Sequence, residues 1–312
     1  MKGSIYLTHP FVASWNFSEA QHRRLEQSLP NVDIRRFGSR ERFLESLADA
    51  DVAVVWEFEQ AWLARAPRLQ WLVTPAAGAE GLRIDRPAEI DIDHGSFHGP
   101  VIAETVIGLL LGHCRGLFLA AQLTRTNAWP RAELAASVST LRGAHLTILG
   151  FGAIGRWIGR LAKPFGVRIT GVSRHPGEPP DYFSAGDHWL RVAALDACLP
   201  QTEFLIVVLP ATRETDQIID ARRIGLLRDG AVIVNVGRGN AIDETALATA
   251  LSQQKLGGAY LDVYAEEPLS ASSPLREAPN TLLLPHVSAI APQHLDLFIT
   301  EFADKYIAHY GR

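Results

Sequence analysis

Six short stretches carry residue types that do chemistry, and each follows an apolar run of strand length. Thr147 to Arg156 reads as an apolar strand, the turn Gly150-Phe151-Gly152-Ala153-Ile154-Gly155 and the start of a helix. In a Gly-x-Gly-x-x-Gly turn the first glycine permits the tight bend. The second leaves room for a pyrophosphate against the backbone, and the third lets helix and strand pack closely. The helix N-terminus then offers free N–H groups and the positive end of its dipole. The same spacing also occurs in turns that hold no ligand, so the other strand ends decide its weight. Ser173-Arg174-His175 follows the next strand candidate, Leu209-Pro210-Ala211-Thr212 the one after, and Asn235-Val236-Gly237-Arg238-Gly239 the fourth. Asp262 ends the fifth, with Glu266-Glu267-Pro268 just beyond, and Pro285-His286 ends the sixth. Ligands of open α/β sheets bind outside the carboxyl ends of the strands. An arginine, carboxylates and a histidine, groups that bind anions and move protons, thus fall on the one edge where a dinucleotide would lie.

The second of these strand ends bears on which dinucleotide that is. In NAD sites an acidic residue about 20 positions after the glycines binds both ribose hydroxyls. Here that place holds Ser173-Arg174, and no carboxylate follows until Glu178. A carboxylate would repel a 2′-phosphate, whereas serine and arginine hydrogen-bond to it and neutralise it. NADP(H) is therefore the preferred cofactor on this reading. NAD(H) stays open if Arg174 only lies on the adenine.

The elements that must position these residues alternate β and α along the chain. Ile5–Leu7, Val32–Phe37, Val52–Trp56, Leu69–Thr74 and Ile90–Ile92 read as strands. Ser18 to Leu29 and Ser39 to Leu47 read as helices with serine N-caps, and Gln60–Ala66 as a helix stopped by Pro67. The loop Pro75-Ala76-Ala77-Gly78-Ala79-Glu80-Gly81 follows a strand end, and its small residues would let backbone N–H groups face a carboxylate, unless it is an ordinary βα connection. His94 to Pro100 is rich in turn residues and marks a boundary. His94 and His98 read as part of a solvated loop, because no further ligands cluster near them to bind a metal. Val101 to Leu119 is apolar nearly all round, as a buried helix would be. Asn127 to Thr140, with Trp129-Pro130, reads as a loop or an arm.

From Leu146 the alternation is more regular, with strands at Leu146–Leu149, Val167–Val172, Phe204–Leu209, Ala231–Val236, Ala259–Val263 and Thr281–Leu284. Asp243 starts a helix between the fourth and fifth. The final helix, Pro292 to Tyr310, spaces Leu295, Phe298, Ile299, Phe302 and Tyr306 on one face and needs a surface to cover. The exposed side of the first domain is a candidate. Such alternation argues for parallel sheets covered on both faces. At 312 residues, 47% of them hydrophobic, the chain can hold two domains. A net charge of −4 favours no nucleic-acid or anionic-membrane partner. No apolar run reaches the roughly 18 residues needed to span a bilayer, and the N-terminus reads as a first strand rather than a signal peptide. Cys114 and Cys198 lack any Cys-x-x-Cys spacing and read as buried free thiols, which implies a reducing, cytoplasmic setting.

Four blocks together resemble the successive signatures of the D-isomer-specific 2-hydroxyacid dehydrogenases. They are Gly150 to Gly155, then Val234-Asn235-Val236-Gly237-Arg238-Gly239, then Gly258 to Leu269, and Pro285-His286-Val287-Ser288-Ala289. The likeness runs through nearly the whole chain. Within the family, His9-Pro10-Phe11, Val54-Val55-Trp56, Val172-Ser173-Arg174 and His286 to Ile290 are similar to the NADPH-dependent glyoxylate/hydroxypyruvate reductases.

The resemblance implies a bilobal α/β enzyme. Its parts would be a smaller flavodoxin-like substrate domain, residues 1–97 completed by 286–312, and a doubly wound Rossmann cofactor domain, 98–285. It also implies a homodimer formed through the cofactor domain, with the segment near Trp129 crossing to the partner. Arg238 corresponds to the family arginine that holds the substrate carboxylate and polarises its keto oxygen, His286 to the proton donor and Glu267 to its carboxylate partner. Asp262 corresponds to a residue near the nicotinamide carboxamide, and Ala77 and Gly78 to the loop whose N–H groups hold the substrate carboxylate, with Trp56 shaping the pocket. The cofactor-binding set is completed by Phe151, Ala153, Ile154, Ser173, Arg174, His175, Leu209, Pro210, Thr215, Val236, Gly237 and Ser288. No metal is implied. Glu80 stands where the family usually has aspartate, and Ser288-Ala289 where many members have glycine and a small residue.

The chemistry implied is reduction of a small 2-oxo acid such as glyoxylate or hydroxypyruvate, with a hydride from the nicotinamide and a proton from His286. The developing alkoxide needs both positive charge and a proton. Reduction would then be favoured at neutral to mildly acidic pH and oxidation at higher pH. Two alternatives stand beside this reading. One is a non-enzymatic, dinucleotide-sensing protein of the same fold. The other is an NAD-dependent D-2-hydroxyacid dehydrogenase with another substrate.

Overall fold

In a computed structural model, residues 1–78, 80–85, 89–127 and 129–310 are described. Ala79, within the 75–81 loop, and the last two residues of the 286–312 segment lie outside them. The chain divides into two compact units, 1–98 with 290–312 and 99–289. His98 therefore falls in the first unit and residues 286–289 in the second, whereas the sequence reading divides at 97/98 and 285/286. The four residues at the later boundary include His286.

The first unit has five parallel strands, β1 (Lys2–Tyr6), β2 (Asp33–Arg36), β3 (Val52–Val55), β5 (Trp71–Thr74) and β7 (Asp91–His94), ordered β2-β1-β3-β5-β7. This is the flavodoxin-like order. A small pair that the sequence did not suggest, β4 (Phe58–Glu59) with β6 (Leu82–Arg83), lies outside that sheet. The helix Glu19–Ser28 starts at Ser18, whose hydroxyl accepts from the Gln21 N–H while Gln21 accepts from the Ser18 N–H. Ser39 caps Arg40–Ser46 in the same way from one side. Gln60–Arg65 is a 3-10 helix, not an α-helix. Pro67 disfavours the α conformation at Ala66, so the segment closes with the i→i+3 bond from Ala66 N to Leu63 O.

The C-terminal helix His294–Tyr310 belongs to this unit and buries Leu295, Phe298, Ile299 and Phe302 against Ile5, Val54 and Trp71. Phe302 stacks on Trp71 with centroids 5.2 Å apart and planes 12° from parallel. His98 is buried, not in a solvated loop. Its ring stacks on Phe97 at 4.1 Å and meets His294 at 5.3 Å.

The second unit is built on seven parallel strands, β8 (His145–Leu149), β9 (Arg168–Ser173), β10 (His188–Arg191), β11 (Phe204–Val207), β12 (Ala231–Asn235), β13 (Leu256–Leu261) and β14 (Thr281–Leu283). Their order, β10-β9-β8-β11-β12-β13-β14, is that of a doubly wound sheet, and it reverses between β8 and β11. Separate apolar cores cover the two faces, which is why β8, β11 and β12 are buried along their whole length. β10 was not anticipated, since His188-Trp189-Leu190-Arg191 has charged or polar ends and only two apolar residues.

The single helix expected over 101–119 is two, Gly99–Cys114 and Leu117–Leu123. They are broken at Gly116, whose φ of +64° is left-handed. Part of the 127–140 segment is also helical, Arg131–Ser137. Both cysteines are free and buried. Among the described residues, no single helix is long and apolar enough to cross a membrane, and no group of three or more His, Cys, Asp or Glu residues is placed to hold a metal ion.

Phe302→Ala should cost about 3–5 kcal/mol, since it removes a fully packed ring from the first core. Urea unfolding followed by tryptophan fluorescence would show the shift. A midpoint unchanged from the wild type would contradict this packing.

Candidate active site

The glycine turn leaves β8 at the point where the strand order reverses. Gly150 has φ of +100°, and a Cβ there would lie 2.1 Å from the Val208 carbonyl oxygen. At Gly155 a Cβ would lie 2.4 Å from the Gly150 oxygen. At Gly152 a Cβ would meet nothing within 4 Å, so open space faces the turn where a pyrophosphate would lie. The helix Ala153–Ala162 has no side-chain N-cap, which leaves the amides of its first turn for a ligand. These residues fit a dinucleotide. Phe151 faces away from that space: it is 1% exposed, its N–H donates to the Val172 carbonyl, and its ring packs on Phe183 and Trp189. Its contribution is to the core, and a Cβ at Gly171 would meet that ring at 2.5 Å.

At the end of β12, Asn235 is 1% exposed and clamps the turn that carries Arg238. Its Oδ1 accepts from the Gly237 N–H at 3.1 Å and its Nδ2 donates to the Arg238 carbonyl at 3.0 Å. The flanking glycines are required by close approach. A Cβ at Gly237 would lie 2.5 Å from the Leu209 nitrogen, and one at Gly239 would lie 1.7 Å from the Tyr264 carbonyl carbon. The Arg238 guanidinium donates back to the Gly237 carbonyl at 2.8 Å.

His286 and Glu267 meet as the spacing alone could not have shown. His286 Nδ1 is 2.9 Å from Glu267 Oε2, and the other carboxylate oxygen accepts from the Tyr264 N–H at 3.1 Å. Asp262 determines where His286 stands. It is 3% exposed; its carbonyl accepts from the His286 N–H at 2.9 Å, and its carboxylate oxygens accept from Val287 N–H at 2.7 Å and Ser288 N–H at 2.9 Å. A carboxamide near Asp262 would thus be an additional partner, because both oxygens already serve the backbone that follows the histidine. His286 itself has a left-handed φ of +54°. Tyr264 completes the bracket, with its hydroxyl 3.0 Å from the Leu261 carbonyl and 2.9 Å from the Leu284 carbonyl. Burial, reinforced by the nearby charges of Asp262 and Glu267, pushes this phenol up to about 12. The His286–Glu267 pair borders a cleft of about 520 Å³ with Tyr264, Leu269, Leu283 and Leu284 on its walls.

The remaining residues expected at the site are spread over both units. Ser288 is buried, and its hydroxyl has no hydrogen-bond partner among the described residues. Val236 is buried beside the Arg238 turn. Thr215 closes the loop after Leu209 and Pro210, with its hydroxyl donating to the Pro210 carbonyl at 2.7 Å. Ser173 accepts from Trp189 Nε1 at 2.8 Å, and Arg174 and His175 are exposed beyond it. Trp56, Ala77 and Gly78 follow β3 and β5 at the carboxyl edge of the first unit's sheet, where Trp56 Nε1 donates to the Trp15 carbonyl at 3.0 Å. Asn235, Tyr264 and the whole of β10 are contributions that sequence reasoning missed. A buried asparagine ending an otherwise apolar strand was the available signal for the first.

A family model described as the D-isomer specific 2-hydroxyacid dehydrogenase NAD binding domain matches residues 107–288. The chain is 29% identical over 275 residues to a glyoxylate/hydroxypyruvate reductase B of Pectobacterium carotovorum, covering 85% of this chain and 83% of that one. Among solved structures, a D-isomer specific 2-hydroxyacid dehydrogenase family protein from Aeromonas salmonicida aligns with a TM-score of 0.79 at 32% identity, over 98% of this chain and 94% of that one. A D-isomer specific 2-hydroxyacid dehydrogenase from Xanthobacter autotrophicus, solved with NADPH and MES, aligns with a TM-score of 0.81 at 26% identity, over 99% and 95% of the two chains.

Asp262→Asn turns one of two accepting oxygens into a donor facing a backbone N–H, at a cost of about 1–3 kcal/mol. Turnover should fall at least tenfold. An unchanged kcat would show that His286 does not depend on this carboxylate.

Proposed function

The chain belongs to the D-isomer-specific 2-hydroxyacid dehydrogenase family, an NAD(P)-dependent oxidoreductase family, and we propose that it reduces a 2-oxo acid of the size of glyoxylate or hydroxypyruvate with NADPH. The observation that carries the residue roles is the His286–Glu267 contact at 2.9 Å, built on the same sheet edge as the Arg238 turn and the glycine cradle. When bound, the reduced dinucleotide supplies a hydride to the ketone carbon. Arg238 pairs its planar fork with the substrate carboxylate and polarises the keto oxygen. Glu267 accepts from His286 Nδ1 and so leaves Nε2 as the atom that passes a proton to the developing alkoxide. The buried Ser288 hydroxyl is a partner for the carboxamide end of the cofactor.

The preference for NADPH rests on Ser173 and Arg174 after β9, where an NAD site would carry an acidic residue and no carboxylate follows in sequence until Glu178. The neighbour solved with NADPH supports the same choice. A homodimer is supported by apolar side chains left exposed on the second unit, Trp129 at 78%, Leu117 at 57% and Val138 at 40%. Two free buried thiols suit a reducing compartment.

His286→Ala should lower kcat for glyoxylate or hydroxypyruvate reduction by about 10²–10⁴ while NADPH still binds. Near-normal turnover would overturn the assignment of the proton donor. Oxidation of NADPH by the wild type with either acid separates an enzyme from a dinucleotide-sensing protein. For the cofactor, kcat/KM with NADPH should exceed that with NADH at least tenfold, and equal values would defeat the preference. Trp129→Glu should shift the particle in light scattering from dimer to monomer. A wild-type chain that is monomeric at micromolar concentration would sink the dimer.

A further inference from the structure

We propose that Arg191 is the second cation of the adenosine-phosphate subsite, gripping a 2′-phosphate together with Arg174 and the Ser173 hydroxyl. This rests on the NADPH reading above and adds a residue to it. Arg191 ends β10, the edge strand that runs parallel to β9, and it is register partner to Ser173. Register partners in neighbouring parallel strands point to the same face, so Ser173 and Arg191 share one, and Trp189, two residues earlier, shares it with them. Trp189 Nε1 donates to Ser173 Oγ at 2.8 Å. The serine oxygen is thereby an acceptor towards the indole, and its own proton is left to donate outward. Arg191 Nη1 lies 3.4 Å from the Arg174 carbonyl, which brings its guanidinium to the turn that would meet the ribose.

Charge and anchoring agree with this placement. Arg174 and Arg191 are both exposed, and neither is ion-paired among the described residues. Glu214 is an acidic group acting on Arg174. Its carboxyl is held below the usual range first by the Thr212 hydroxyl and also by the Arg174 charge. That carboxylate sets a negative charge near Arg174, where Arg191 would add a second cation. β10 is held firmly enough to present one. Asp187, just before it, has a fully buried carboxylate that pairs with Lys163 and accepts from Ile169 N–H at 2.8 Å and Ser184 N–H at 2.7 Å. Burial raises the carboxyl of Asp187, but those partners outweigh it and hold the group below its ordinary value. Its charge is neutralised locally and does not oppose the site.

The full-length protein can be titrated with 2′,5′-ADP and with 5′-ADP, which differ only in the phosphate at issue. The wild type should bind 2′,5′-ADP at least tenfold more tightly. Arg191→Gln should weaken 2′,5′-ADP by tenfold to a hundredfold, leave 5′-ADP within twofold and leave the melting temperature unchanged. Arg191→Lys keeps the charge and should retain much of the preference. If the wild type prefers 2′,5′-ADP and Arg191→Gln prefers it equally, Arg191 has no part in the subsite and the NADPH reading stands. If the wild type binds both ligands alike, the NADPH reading fails and takes the role of Arg191 with it.

Discussion

The buried carboxylate of Asp262 is the interaction on which the placement of His286 depends. Three hydrogen bonds from one residue, two through its side chain and one through its carbonyl, fasten residues 286–288 to the end of β13. A carboxylate in that environment without such donors would cost several kcal/mol, so the segment is held as firmly as the charge is buried. The consequence is local. His286 leaves the sheet with a left-handed backbone, and its ring meets the carboxylate of Glu267, whose other oxygen is fixed by the Tyr264 N–H. The half-exposed pair itself contributes little to stability. Its geometry comes from buried groups behind it.

The same edge shows why so many of its residues are glycine. Parallel strands ending side by side force their following loops into contact, and a loop that must turn there has no room for a side chain. Gly150 abuts the Val208 carbonyl, Gly237 the Leu209 backbone and Gly239 the Tyr264 carbonyl. Each contact joins the end of one strand to the end of its neighbour, β8 to β11, β12 to β11 and β12 to β13. The Arg238 turn is therefore gripped from both sides and clamped from beneath by Asn235. A long flexible cation is presented from a backbone that cannot shift, which is what binding a planar carboxylate with a guanidinium fork requires.

At the far side of the sheet the arrangement is looser and more exposed. β10 is an edge strand, and it is kept in place by Trp189 against Phe151 and Ser173 and by the Asp187–Lys163 pair. Phe151 links the glycine turn to β9 and β10. It sits inside the glycine turn, and its ring fills the space above Gly171 and beside Trp189. The glycine turn and the edge strand β10 thus share one packed aromatic contact.

Roles for Arg238, Glu267 and His286 came only from the family resemblance, whereas the amino-acid sequence by itself determined the two βα-alternating halves, the serine caps of the first helices and the glycine turn. These were legible because they depend on local rules: the period of apolar residues, capping chemistry and the demand for glycine at a tight phosphate turn. Only the tertiary structure decided the rest. β10 has too few apolar residues to announce itself and exists because β9 offers it an edge. The helix over 99–123 is broken at Gly116 although its composition is continuous. His98 is buried because Phe97 and His294, almost 200 positions apart, close around it. Asp262 looks in sequence like one more acidic residue at a strand end, and its two backbone partners lie 25 and 26 residues later. Long-range hydrogen bonds and packing leave no periodic trace along the chain, so their consequences, above all the placement of His286, could be read only once the strands were paired.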